Sequence, residues 1–190
     1  AGAVLDPSGF NISVNPADLG WPALSFNGTD YLVVWHDEYG GTYPKVRGRR
    51  VTPSGAFPDT ASFDISGSSD QKMPDVAWDG MNWLVVWYDQ MNSDIKARRI
   101  APDGTSPDSE AFRVSGGTDW HDVPVVEYDG HNWLVAWQST DGVQYDIWGA
   151  RVSPSGQVLD SLAIVQTPGY EGTPCLSKDA GFTMLLAYAA

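Results

Sequence analysis

The sequence predicts an all-β fold of antiparallel four-stranded blades, each of about 50 residues, arranged as a β-propeller. Two markers with one period carry that expectation. Pro22, Pro74, Pro124 and Pro174 stand 52, 50 and 50 positions apart, and Trp35, Trp87, Trp137 and Tyr188 stand 52, 50 and 51 apart. A third observation is the apolar run that contains each of these aromatics, such as Trp83 to Tyr88. It is continuous rather than alternating, so both faces of that strand are expected to be buried, as blades covered by a neighbour on each side require.

Each unit reads as four short strands. The first, A, covers Val76 to Trp78 and ends in Asp79-Gly80, a pair suited to the positive φ of a tight reversal. The second, B, is the apolar run. The third, C, spans Ile95 to Ile100 and leads into Ala101-Pro102-Asp103-Gly104, with counterparts Thr52-Pro53-Ser54-Gly55 and Ser153-Pro154-Ser155-Gly156. There proline presets the turn and glycine releases it. The fourth, D, is Phe112-Arg113-Val114-Ser115, matched by Phe63-Asp64-Ile65-Ser66 and Phe10-Asn11-Ile12-Ser13.

The repeats run over approximately 1–20 (strand D alone), 21–66, 73–115, 123–166 and, as a partial copy, 173–190. Four blades are therefore expected, the last incomplete, with four D, A and B strands but three C strands. Such a chain is either a portion of a larger propeller or one whose gap a neighbouring chain fills, since an open strand edge invites pairing. A sandwich of duplicated hairpins is the structural alternative.

Composition narrows the partners. With 24 acidic side chains against 11 Lys and Arg, the net charge of -13 repels a phosphate backbone, so nucleic acid is excluded as an expected partner. No apolar run is long enough for membrane insertion as a helix. Cys175 is the single cysteine, which rules out an intramolecular disulfide.

The Leu84 to Trp87 strand followed by Asp94-Ile95-Lys96-Ala97-Arg98-Arg99 resembles the tandem repeats of bacterial secreted and surface β-propellers, as do Leu32 to Trp35 with Val46 to Arg50 and Leu134 to Trp137 with Asp146 to Arg151. The resemblance covers essentially the whole chain and implies an extracellular or cell-surface location, with some members similar to lectin-like propellers. The kelch double glycine, the Trp-Asp signature and the Asp-box of other propeller classes are missing.

Meander topology sorts the loops. The D-to-A linkers and B-to-C loops emerge on one face, which collects most loop carboxylates with the aromatics Trp21, Tyr39, Tyr43, Trp120, Tyr145 and Tyr170. Aromatic rings beside carboxylates and amides suit sugars, by stacking and by hydrogen bonds to hydroxyls. Trp120, His121 and Asp122, with Tyr39 and Tyr145, are the candidate ligand-binding residues. Within the B-to-C loops, Asp89, Asn92 and Asp94, and again Asp141 and Asp146, are spaced as calcium ligands could be; the opposing reading is that these side chains cap turns. Arg50, Arg99 and Arg151 share one strand position and are expected to pair with a repeat Asp or with carbonyls.

The three histidines occupy unrelated repeat positions, and no nucleophile elbow, His-Glu-x-x-His or phosphate loop is present. The expectation is therefore a non-enzymatic extracellular module that binds carbohydrate or a protein partner, with calcium as the one candidate cofactor. Two alternatives stand beside it: an assembly subunit that self-associates through its incomplete blade, and a glycosidase using a pair of carboxylates.

Overall fold

The computed structural model describes residues 9–13, 19–37, 43–67 and 70–190. Among these residues, fourteen strands form three four-stranded antiparallel sheets and one two-stranded sheet, each in simple sequence order. Blade 1 holds β1 (Leu19–Phe26), β2 (Tyr31–Asp37), β3 (Lys45–Val51) and β4 (Phe63–Asp64). Blade 2 holds β5 (Gln71–Trp78), β6 (Trp83–Asp89), β7 (Asp94–Ile100) and β8 (Phe112–Arg113). Blade 3 holds β9 (Trp120–Tyr128), β10 (Trp133–Thr140), β11 (Tyr145–Val152) and β12 (Leu162–Val165), and blade 4 holds β13 (Gly172–Lys178) and β14 (Met184–Ala189). The chain is a β-propeller, with β1, β5, β9 and β13 innermost and successive inner strands packed on one another.

The apolar B strands behave as expected. Every residue of β6 is buried, because blades 1 and 3 cover its two faces. The fourth strand of blade 1 spans only Phe63–Asp64, and the predicted D segment at Phe10 to Ser13 is not a strand. Its Ile12 carbonyl nevertheless accepts from Arg49 Nη1 at 2.7 Å, as the Ile65 carbonyl accepts from Arg98 Nη1 at 3.1 Å. The segment thus meets blade 1 as the D strand of blade 1 meets blade 2.

Turn chemistry follows the sequence. Asp79 Oδ1 accepts from the Met81 and Asn82 amides, both at 2.6 Å, and Asp129 Oδ1 does the same for His131 and Asn132 at 2.7 Å. These Asx turns let Gly80 and Gly130 sit at φ 102° and 93°. The third strands carry a small residue at one shared position, and its size tracks the residue seated on it. A Cβ on Gly48 would stand 2.7 Å from Ile65 Cδ1, and one on Gly149 would stand 2.6 Å from Ile164 Cδ1. In blade 2 the small residue is Ala97 and the facing D residue is the shorter Val114, one methylene traded for another. Val114→Ile should therefore overpack blade 2 and lower stability by about 1–3 kcal/mol, and Ala97→Gly should recover much of that loss. Urea unfolding of the single and double variants checks this; additive losses would show that the two sites do not share the space.

One feature differs from expectation. The inner strands begin before the repeat prolines, not after them: β5 starts at Gln71, with its register shifting between Lys72 and Asp75. The same shift occurs in the other three blades. Trp21, Met73, Val123 and Thr173, each preceding a proline, take φ of 53°, 53°, 48° and 47°. Proline has no N–H to lose from a ladder, so it is tolerated at such a bulge, while the left-handed residue before it re-aims its side chain. Left-handed φ at β-branched Val123 and Thr173 is costly and persists where the surroundings enforce it.

Candidate active site in the central channel

The four bulges converge. Trp21, Met73, Val123 and Thr173, their prolines, and Ala23, Asp75, Val125 and Cys175 line a central cavity of about 430 Å³. Its walls are mostly apolar. Asp75 is the one carboxylate lining it among the described residues, where the other three blades place Ala, Val and Cys. The half-buried Asp75 accepts the Val126 amide of blade 3 through Oδ2 at 2.8 Å. Burial, with a smaller push from Glu127, raises its pKa from 3.8 to about 6, against the pull of the Val126 and Val76 amides. Glu127 on β9 is ion-paired with Lys178 of blade 4 at 2.9 Å, and Lys178 also donates to the Tyr128 carbonyl at 3.0 Å. A carboxylic acid that stays protonated in mildly acidic solution, in a concave apolar channel, can donate a proton to a bound molecule.

Sequence reasoning passed over Asp75. The signal was present: a carboxylate at an inner-strand position that is apolar in the other copies.

The predicted ligand residues separate in the structure. His121 is 4% exposed. Trp137 Nε1 donates to its Nδ1 at 3.2 Å, and its Nε2 donates to the Gly116 carbonyl at 2.8 Å. Burial lowers its pKa. His121 is thus a neutral peg between β9, β10 and the linker, the role that Gln71 fills under Trp87 in blade 2, and its ring is closed to a ligand. Asp122 is half-buried, and burial raises its pKa against the pull of Gln138 and Trp120. Trp120 and Tyr145 flank Thr140 in the register of blade 3, yet Trp120 lies against Tyr88 of blade 2 at 6.1 Å and Tyr145 against Tyr170 at 5.1 Å. The two rings go to opposite neighbours. Tyr39 lies outside the described residues.

The residues of the calcium expectation already hold partners within the protein. Asp89 is 1% exposed and receives Lys96 at 2.6 Å, Asn92 Nδ2 at 2.7 Å and Gln71 Nε2 at 3.0 Å. Although burial pushes the other way, Lys96, Asn92 and Gln71 hold its carboxyl below the usual range. Asp94 is paired with Arg113 at 2.7 Å. Asp141 caps its own loop through the Val143 amide at 2.9 Å, and Asp146 accepts from Gln144 Nε2 at 3.0 Å. Among the described residues no three carboxylate, imidazole or thiol groups converge on one point. Millimolar calcium or EDTA should therefore move the thermal midpoint by less than about 1 °C. A shift of several degrees would return these carboxylates to a metal-binding role.

Fold and site define a β-propeller with an acid-bearing central channel. No protein-family model matches the sequence, and no curated protein matches it. Solved structures do. An endo-arabinase from Bacteroides thetaiotaomicron superposes with a TM-score of 0.62 at 19% identity, over 96% of this chain and 74% of the enzyme. A thermostable family-43 glycoside hydrolase superposes with a TM-score of 0.61 at 10% identity, over 90% of this chain and 65% of that one. A subtype N10 neuraminidase-like protein of A/little yellow-shouldered bat/Guatemala gives a TM-score of 0.60 at 12% identity, over 85% of this chain. This chain spans about half the length of that last protein, 49%. At such identities the likeness is one of fold.

These neighbours overturn the expectation of a non-enzymatic module. That expectation took missing motifs as evidence against chemistry, whereas the structures sharing this fold are mostly glycoside hydrolases. A pair of carboxylates that hydrolyses a glycosidic bond can come from separate strands and then leaves no short motif in a sequence.

Proposed function

We propose that this chain belongs to a carbohydrate-processing propeller of the glycoside hydrolase class, with Asp75 as the proton donor to the departing sugar oxygen. The raised pKa of Asp75 at the wall of the central channel carries this reading. Cleaving a glycosidic bond requires an acid still protonated near the working pH, and burial beside a second carboxylate is the arrangement that keeps one so. Glu127, anchored by Lys178, is the carboxylate whose charge reinforces that state. Support also comes from the named activities of the neighbours, among them an endo-arabinase and an alpha-L-arabinofuranosidase. The repeats' resemblance to those of secreted and surface bacterial propellers supports an extracellular site of action, which fractionation of expressing cells would test.

The experiment is hydrolysis of arabinan, xylan and galactan oligosaccharides by the purified chain, followed as reducing ends between pH 4 and 8. Cleavage that declines as pH rises through about 6 is the expected result. No release from any of the three, at high enzyme concentration, would sink the reading.

A further inference from the structure

Among the described residues, the cavity wall carries one aromatic ring, that of Trp21. Trp21 sits on a strained left-handed backbone, φ 53°, and is 53% exposed. The equivalent residues are Met73, Val123 and Thr173, so the bulge itself has no need of an aromatic ring. A large apolar face held toward solvent at the mouth of a cavity marks a binding surface. Met73, Val123 and the exposed Thr173 line the same cavity.

The charges around the channel select the ligand further. All seven arginines lie on the outer strands: three on β3, two on β7, and one each on β8 and β11. They are engaged there, by carboxylates such as Asp37, Asp59, Asp108, Asp94 and Asp160, or by backbone carbonyls. Lys178 is held by Glu127 and the Tyr128 carbonyl, and Lys45 and Lys96 pair with Asp64 and Asp89. Lys72 pairs across strands with Tyr88, whose hydroxyl already feels Asp122, Asp70 and Asp89. The cavity wall therefore presents a carboxyl group and no cation. A uronate or sialate would find no cation to offset its desolvation, and would be repelled once Asp75 ionises above about pH 6, since recognising a carboxylate takes an Arg fork or a Lys.

We propose that Trp21 is the platform on which an uncharged sugar ring stacks at the channel mouth, and that the channel rejects anionic sugars. This rests on the channel being a saccharide site, as proposed above, and it can fail separately from catalysis. The test is binding, measured by calorimetry on the unsubstituted chain at pH 8, where Asp75 is ionised and turnover has declined, with arabinotriose, galactotriose, trigalacturonate and sialyllactose. At least one neutral trisaccharide should bind, and the two anionic ones should not. Trp21→Ala in the same background should weaken the neutral ligand about tenfold, the scale of a lost stacking contact, while Trp21→Phe stays within about threefold of the parent. Neither change removes a glycine or a buried group, so far-ultraviolet dichroism should be unaltered. Affinity unchanged in Trp21→Ala, an anionic sugar binding as tightly as a neutral one, or no neutral sugar binding would each overturn the proposal. Trp21-dependent binding without hydrolysis by the unsubstituted chain would instead sink the catalytic reading alone.

Discussion

Replacing Asp75 by Asn is expected to abolish turnover while making the protein more stable at neutral pH. The amide keeps an oxygen to accept the Val126 N–H and keeps the volume of the side chain, but it has no proton to give. Loss of a general acid lowers rates by about 100- to 10,000-fold. The stability change has the opposite sign for a reason that can be worked through. The folded pKa of Asp75, about 6, lies above the unfolded value of 3.8. Between those values the folded state binds the extra proton, so stability falls as pH rises through the window from about 4 to about 6 and stays lower above it. A shift of about two pKa units corresponds to on the order of 3 kcal/mol. Asp75→Asn should therefore match the parent at pH 4 and exceed it at pH 8 by about 1–3 kcal/mol in urea unfolding. A variant that is less stable at pH 8 would mean that Asp75 is ionised in the fold and serves a structural role.

Arg99→Ala should cost about 3 kcal/mol, whereas the same change at Arg151, in the same repeat position, should cost less than about 1 kcal/mol. Arg99 has a side chain 15% exposed, makes a forked pair with Asp108, which is 12% exposed, and donates through Nη1 to the Pro154 carbonyl of blade 3 at 2.9 Å. One guanidinium thus ties its own C-to-D turn and the next blade together, as Arg50 does with Asp59 and the Pro102 carbonyl. The turn glycine makes room for it: a Cβ on Gly156 would stand 3.0 Å from Arg99 Nε. Arg151 has the same fork to Asp160, but its side chain is 52% exposed and Asp160 31%, so water screens the pair. For a chain of this length the difference should appear as a fall of roughly 6–12 °C in the thermal midpoint of Arg99→Ala alone. Arg99→Lys should recover little, because an ammonium cannot reach both the carboxylate and the carbonyl in the fork geometry. Equal losses at the two positions would show that the cross-blade bond contributes nothing.

Much of the fold was legible because its determinants are local and repeated. The Asp-Gly and Pro-x-Gly turns, the apolar B strand and the Arg of strand C each specify backbone or pairing within a few residues. Repetition at a fixed period then dictated radial stacking. The start of the inner strands was misread because a proline ordinarily closes a strand; here it marks a bulge inside one, a choice made by the neighbouring blades. The loop carboxylates Asp89 and Asp94 looked like free ligands because their partners, Lys96 and Arg113, lie across strands whose register a sequence does not display. His121 drew attention beside an exposed Trp120, yet alternation along the strand turns it inward under Trp137.

By itself, the sequence determined the blade, its four-strand order, its turns and the side of the molecule on which the linkers emerge, since each follows from periodicity and turn chemistry within about 50 residues. Only the tertiary structure decided which side chains share the axis. Asp75, Trp21, Thr173 and Cys175 are separated by up to 154 positions, and no local rule relates them. They meet because four identical bulges on four inner strands point to one channel, and the low dielectric of that channel raises the proton affinity of an aspartate that any local reading would leave ionised.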